Sequence, residues 1–491
     1  MTLEEVAARY KAALPEGTFF HFPITAMDVT AQAGVCAWTN IFLPGPLGGG
    51  DGYGLSDAEA EVGALGELHE RLQSLWVVPT LETERASYNN LVEGYGADAV
   101  VDPVTLGLPA GSEYHPDMSR LWTQMRRYPE GSKWVLLEAA ASSPAELPEG
   151  YEPLLLPVSN GLGAGLNVTR ALCHGVLEIL QRDGNSVNYR ALDQGCTLDL
   201  SSGVPDNVQS VLDLLAAAGL SVNVKLAATD FGLINVYVNG YGTGVDGVGD
   251  HPQVKLAAGG EACDLDRTAA LRKALLEFAF ARMRLAFSHG PLEEAAKLSP
   301  EGYLAAHRAH FQKGGEEARA MQGMLRWLEL SPAELRSELA PIYAQRESVA
   351  FTDLPERPNL ASATPEVRLR EVAERLGGFE ILYLELATPQ AKDHEVSAVK
   401  VVIPGLEVET ASYGRIGERN LRRLLGRKSP LVGLGKPPPG AKRIHLLQEV
   451  EADLGGPAWF HPAKLDEVVG NLYPLYREPA RHAVRYVEEA R

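Results

Sequence analysis

The stretch Ser159-Asn160-Gly161-Leu162-Gly163-Ala164-Gly165, leading into Ala171-Leu-Cys-His174-Gly-Val-Leu-Glu178-Ile-Leu-Gln181-Arg182-Asp183, decides how this chain is read. A glycine-rich turn opens into a helix. At 3.6 residues per turn, Leu172, Val176, Ile179 and Leu180 fall on one face. The opposite face carries Arg170, His174, Glu178, Gln181 and Arg182. Glycines let backbone amides approach an anion, and a helix N-terminus favours negative charge. A carboxylate further along the same helix would hold a cation beside that anion. The outline is that of a nucleotide–magnesium site, although any amphipathic surface helix shows a polar stripe.

The pattern recurs. Ser56 to Trp76 predicts a second helix, with Ser56 and Glu59 spaced as a capping box. Leu65, Leu68, Leu72 and Trp76 form its core face, and Glu67, Glu70 and Arg71 lie opposite, one turn after Ala60 and Gly63. Gly48-Gly-Gly-Asp-Gly-Tyr-Gly54 precedes it. A third helix, Arg267 to Phe287, follows Gly259-Gly260-Glu261 and places Lys273, Glu277 and Arg284 on one face. Three glycine-led helices thus each present a Glu with a basic neighbour, and the three stripes are expected to converge. For each Glu–Arg pair the plainer reading is a surface bridge worth a few tenths of a kcal/mol, ~0.3.

These segments resemble the YcaO family. The serine-asparagine-glycine turn and the helix ending Glu178-Ile-Leu-Gln181-Arg182-Asp183 fit one family motif. Glu67-Leu-His-Glu70-Arg71 fits an earlier motif, and Lys273-Ala-Leu-Leu-Glu277 and Val401-Val-Ile-Pro404-Gly405-Leu-Glu407 fit later ones. The resemblance runs from about residue 20 to 425 and implies a YcaO-like ATP-binding fold with several subdomains. It implies ATP and Mg2+ as cofactors and activation of a peptide backbone amide by O-phosphorylation, ahead of azoline, thioamide or amidine formation. An amide carbonyl is a poor electrophile because resonance stabilises it. Phosphoryl transfer asks the protein mainly for positioning and charge neutralisation.

Carried over by position, Glu67, Glu70, Glu178, Gln181, Arg182, Lys273 and Glu277 would bind the nucleotide, with Glu67, Glu70, Glu178 and Glu277 as magnesium carboxylates. No catalytic residue is assigned. Gln181 stands where many relatives have a second Glu. Leu166, Arg170 and Gly63 replace an Asn, a Glu and a Ser found in some relatives, and Asn167 reads as a helix cap. The resemblance also implies a peptide or protein substrate, a leader-binding or TfuA-like partner protein and a homodimer. Azoline-forming members commonly end in a proline-rich tail, whereas this sequence closes with a predicted helix, Pro479 to Arg491. A non-catalytic scaffold and a carboxylate–amine ligase remain the alternatives.

Bulk properties fit a cytoplasmic enzyme. The 491 residues suffice for two or three domains, expected as a core in two parts, 1–290 and 361–430, a mainly helical segment at 291–360 and a C-terminal segment at 431–491. The net charge of −19 argues against nucleic acid as a partner. No apolar run of about 18 residues predicts a membrane span, and Met1-Thr-Leu-Glu-Glu does not read as a signal peptide. Cys36, Cys173, Cys196 and Cys263 lack metal-ligand spacing. His69 and His174 flank the expected site, and an ordinary helix-face residue is an equally good reading of either. Strand-like runs at 134–138, 220–225, 233–238, 381–386 and 400–403 alternate with helices at 56–76, 168–182, 206–218, 267–287, 316–329, 332–346 and 365–376. That alternation predicts an α/β or α+β fold with mixed sheets. Pro437–Pro439 reads as a stiff linker.

Overall fold

The computed structural model describes residues 1–43, 49–186, 195–242, 252–311, 317–408 and 414–490. The fold is a mixed α/β arrangement with several sheets, as the alternation predicts. It divides into two compact units, one of residues 1–69, 188–363 and 471–491, the other of 70–187 and 364–470. The division falls inside helix Asp57–Val77.

The first unit holds an antiparallel three-stranded sheet, ordered Thr18–Pro23, Cys36–Leu43, Gly49–Gly54. Its second sheet has five strands, ordered Gly259–Asp264, Ile234–Gly242, Leu220–Ala228, Cys196–Asp199, Ser348–Ala350, with the last pair parallel. Helix Arg267–His289 packs into its core with Leu271, Leu275, Phe278 and Met283 fully buried. Asp266 starts that helix by accepting from the Thr268 and Ala269 amides. In the second unit the main sheet runs Glu84–Ala86, Arg120–Arg127, Leu382–Leu386, Ser397–Val402, Leu162–Gly165, with Ser132–Leu136 also paired to Arg120–Arg127. Val432–Leu434, Ala458–Phe460 and Lys442–Arg443 form a small sheet. Pro437–Pro439 connects its outer strands, both of which pair with Ala458–Phe460.

Most predicted elements fall where expected. The helix foreseen at 168–182 continues to Asn185, and the strand at 400–403 is Ser397–Val402. The region read as one helix at 332–346 is two short ones, Pro332–Glu338 and Ala340–Tyr343, with Pro341 restarting the chain. The terminal helix is shorter than expected, Ala483–Glu489, because His482 adopts a left-handed conformation just before it. At the start of Asp57–Val77, Ser56 caps Glu59 as predicted, but the Glu59 carboxylate takes the Leu55 amide.

The glycines of the three motifs have a packing use that the sequence reading does not foresee. Apart from Gly161, which sits in a turn, the described ones lie in strands packed closely against helices. Gly50, Gly52 and Gly54 alternate as the buried face of Gly49–Gly54. A Cβ on Gly52 would stand 2.1 Å from the Ala64 nitrogen, and one on Gly50 would stand 2.5 Å from the Leu68 nitrogen. In Leu162–Gly165, a Cβ on Gly163 would meet the Ala171 carbonyl at 2.2 Å. In Gly259–Asp264, a Cβ on Gly260 would meet the Ala274 carbonyl at 2.1 Å. Gly48 lies outside the described residues. Glycine is needed here because strand and helix touch with no side chain between them.

Gly52→Ala and Gly260→Ala are therefore expected to destabilise by about 2 kcal/mol or more through overpacking. Gly66→Ala is the control. Its Cβ would meet only the Tyr10 hydroxyl, at 3.8 Å, so the helix should gain about 0.5–1 kcal/mol. Urea unfolding of the three variants distinguishes these signs. Equal effects would contradict the packing account.

Candidate functional site

In the first unit the close strand brings two predicted acids together. The Glu67 carboxylate accepts the Asp51 amide at 2.6 Å, so the odd residues of Gly49–Gly54 lie beside it. Tyr53, next but one along the strand, donates to Glu277 at 3.2 Å and stacks on Phe280. Burial pushes the Tyr53 phenol well above its usual range, and the charges of Glu277 and Glu67 add to the rise. Tyr53 therefore stays a neutral donor between two carboxylates. Lys273, one turn before Glu277, is exposed.

Asp51 and Tyr53 were not foreseen, and neither were their neighbours from the chain's last segment. Asp51 accepts from Thr39 at 2.6 Å and pairs with Arg481 at 3.0 Å. Arg284 does not bridge within its own helix. It makes a two-pronged pair with Glu478, 2.8 Å on each prong, and His289 completes the group at 2.7 Å. Burial alone would raise the Glu478 carboxyl, but Arg284 and His289 hold it well below the usual carboxylate range. Burial opposes the Arg284 charge, while Glu478, Asp51 and Glu67 together retain its proton. No local sequence pattern ties residues 478–481 to residue 51.

In the second unit Glu70 lies 4.0 Å from His174, and Glu178 lies 3.5 Å from Arg182. Arg182 thus makes the i,i+4 bridge to Glu178. Gln181 is buried and Arg170 exposed. Asn167 caps the helix by accepting the Arg170 amide at 2.8 Å. Asp183, the last residue of the motif, ties down another helix. It accepts from Arg419, from Arg423 and from the Glu407 amide. His69, in the first unit, is a core residue. Its ring meets the Tyr10 carbonyl at 2.7 Å, and burial pushes its pKa down to about 4.

Lys400 is the second unit's unforeseen residue, though a lysine inside Ala398-Val-Lys-Val-Val-Ile403 was a visible signal. Fully buried, it donates to the Val158 carbonyl at 2.5 Å and the Asn160 carbonyl at 2.7 Å, which fixes the turn before Leu162–Gly165. Burial lowers its pKa to about 8 against the pull of Glu178 and Glu146.

A family profile described as "YcaO cyclodehydratase, ATP-ad Mg2+-binding" matches residues 51–407. The chain belongs to the YcaO family, and its cofactors are ATP and Mg2+. An uncharacterised protein of Methanothermobacter thermautotrophicus is 24% identical over 377 residues, which cover 75% of this chain and 84% of that protein. Among solved structures, a heterocyclase in complex with substrate and cofactor aligns with TM-score 0.62 and 16% identity over 87% of this chain. This chain spans only 55% of that heterocyclase. YcaO from Methanopyrus kandleri, bound with AMPPCP and Mg2+, aligns with TM-score 0.54 and 16% identity, covering 84% of this chain and 92% of that one. These likenesses establish the fold.

In each unit the expected residues include carboxylates, Glu67 and Glu277 in the first and Glu70 and Glu178 in the second, whose hard oxygens are the donor type that magnesium takes. Among the described residues no three His, Cys, Asp or Glu side chains form a metal cage of their own. Magnesium needs none, since it is held by one or two carboxylates together with nucleotide phosphates.

The last segment also sets an acid sensitivity. His307 bonds Tyr486, and burial, with Arg481 nearby, lowers its pKa from 6.5 to about 4. The unfolded chain binds the His307 proton near pH 6.5 and the folded one near 4, so the unfolded state holds more protons in that window. Stability is complete above pH 6.5 and falls as pH drops towards 4, by up to about 1.4 kcal/mol per unit for each such histidine. His307→Gln should flatten the slope of urea stability against pH by about one proton. An unchanged slope would contradict the assignment.

Proposed function

We propose that this chain activates a peptide backbone amide by ATP-dependent O-phosphorylation, so that a nucleophile can attack the former carbonyl carbon. The observation that carries the reading is Glu67 and Glu277 gathered around one neutral phenol, within the segment that matches the family. Both carboxylates are half-buried, and two like charges held around one phenol repel unless a cation lies between them. Bound ATP supplies the phosphoryl group, and Mg2+ neutralises charge on its oxygens.

The chain's own residues supply position and charge. Glu67, Glu70, Glu178 and Glu277 are the proposed magnesium ligands, Arg182 and Lys273 the phosphate contacts, and Gln181 a neutral contact to phosphate or ribose. Tyr53 orients Glu277 through its hydrogen bond. Lys400 holds the turn at Asn160, ahead of the strand that leads into the helix carrying Glu178. Phosphorylation turns the amide oxygen into a leaving group, which departs as phosphate once the nucleophile has added. A side-chain hydroxyl or thiol gives an azoline, an external sulfide a thioamide, and an amine an amidine. A leader-binding or sulfur-delivering partner, a homodimer and a cytoplasmic location belong to the same proposal.

The reading predicts that Mg2+–ATP raises the melting temperature by mass action. Glu178→Ala should abolish that shift and leave the ligand-free melting temperature within a few degrees, about 2–3 °C. Undiminished Mg2+–ATP affinity in Glu178→Ala, measured by calorimetry, would remove Glu178 from the site. With substrate peptide, a mass loss of about 18 Da marks an azoline or internal amidine, and a gain of about 16 Da marks a thioamide, from the atoms lost and gained after phosphoryl activation. Consumption of ATP with no change in peptide mass, and joining of two molecules instead, would favour the ligase.

A further inference from the structure

The first unit contains a cavity of about 430 Å³ that shares no lining residue with the acid cluster. Met27, Val29, Ala286 and Pro291 form its apolar side, and Asp28 and Lys255 its charged floor. Asp28 is fully buried and heavily subscribed. It accepts from the Thr30 amide and hydroxyl, and from Nε and Nη2 of Arg282 at 2.8 and 3.2 Å, and it pairs with Nζ of Lys255 at 3.0 Å. Burial would raise the Asp28 carboxyl, but Arg282 and Lys255 hold it below its usual range, so it is ionised.

Among the described residues the charges do not balance. The Arg282 and Lys255 side chains are 2% and 5% exposed, and they share this single carboxylate. Glu294 lines the cavity too, but its carboxylate is 40% exposed and taken by Lys297 at 2.6 Å. Among these described groups one positive charge is left over in a poorly solvated place, where an unpaired ion is expensive. Lys400, the comparable buried lysine, spends its ammonium on two backbone carbonyls. Among the described residues the Lys255 ammonium has Asp28 alone, although it carries three donors. Lys255 lines the cavity.

We propose that this cavity binds a small organic carboxylate, its oxygens on the Lys255 ammonium and its aliphatic chain against Met27, Val29, Ala286 and Pro291. The volume lies in the range of small-molecule sites, and apolar walls around one fixed charge match an amphiphilic anion.

Hexanoate is a suitable probe, titrated by calorimetry into the full chain without ATP or magnesium. Binding is expected for hexanoate and not for hexanol or hexylammonium, which share its chain and lack its charge. Lys255→Met should weaken hexanoate at least about tenfold, as loss of a charged hydrogen bond does, while Lys255→Arg retains it and Mg2+–ATP affinity is unchanged in both. Should Lys255→Met fail to fold, the comparison of hexanoate with hexanol on the parent chain decides alone. No hexanoate binding at millimolar concentration, equal binding of hexanol, or undiminished binding in folded Lys255→Met would overturn the proposal.

Discussion

Strand backbone lying directly on helix backbone is the contact on which the arrangement of charged side chains depends. At Gly52, Gly163 and Gly260 a single methyl group would stand 2.1–2.2 Å from helix atoms. The absence of side chains at these points leaves little freedom to slide or rotate, since interiors are close-packed and a shift of one methylene is felt. Each helix is thereby fixed in rotation against its strand. Rotation decides which helical positions face the polar side. Glu67 reaches the Asp51 amide and Glu277 the Tyr53 hydroxyl because helix and strand are this close.

Charge is the second layer. Among the described residues the acids of both units are embedded in specific partners. Asp51 is bound to Thr39 and Arg481, Glu478 to Arg284 and His289, and Asp183 to Arg419 and Arg423. Such pairs contribute little net stability when buried, but losing one partner strands a charge. They are better understood as fixing where the last segment and the helix Glu418–Gly426 dock. The same segment brings His307 and His482, held neutral by burial, into contact with Tyr486 and Tyr303.

The fold was legible where periodicity is strong. Helix Pro365–Leu376 and strand Leu382–Leu386 fall where apolar spacing puts them. The glycine motifs were visible, but their use was not. A glycine between two elements looks the same in sequence whether it makes room for a phosphate or for a helix. Glu67, Glu178 and Glu277 stand out because each repeats at helical spacing after such glycines. Asp51, Tyr53, Arg284 with Glu478, and Arg481 were illegible because their partners lie hundreds of residues apart, as Asp51 does from Arg481. Lys400 was legible in principle as a lysine within an apolar strand. His69 could be read either way, since its position beside Glu70 in sequence says nothing of its turn into the core against Tyr10.

Hydrogen exchange with and without Mg2+ and a non-hydrolysable ATP analogue tests the central claim most directly, that the glycine-packed helices carry the nucleotide. The account predicts that ligand-dependent change concentrates in Gly49–Gly54, Asp57–Val77, Val168–Asn185 and Arg267–His289. It also predicts that exchange at the Asp51 amide changes among them, because its acceptor Glu67 would turn to the metal. Exchange that changes elsewhere while these four segments stay as they are without ligand would contradict it.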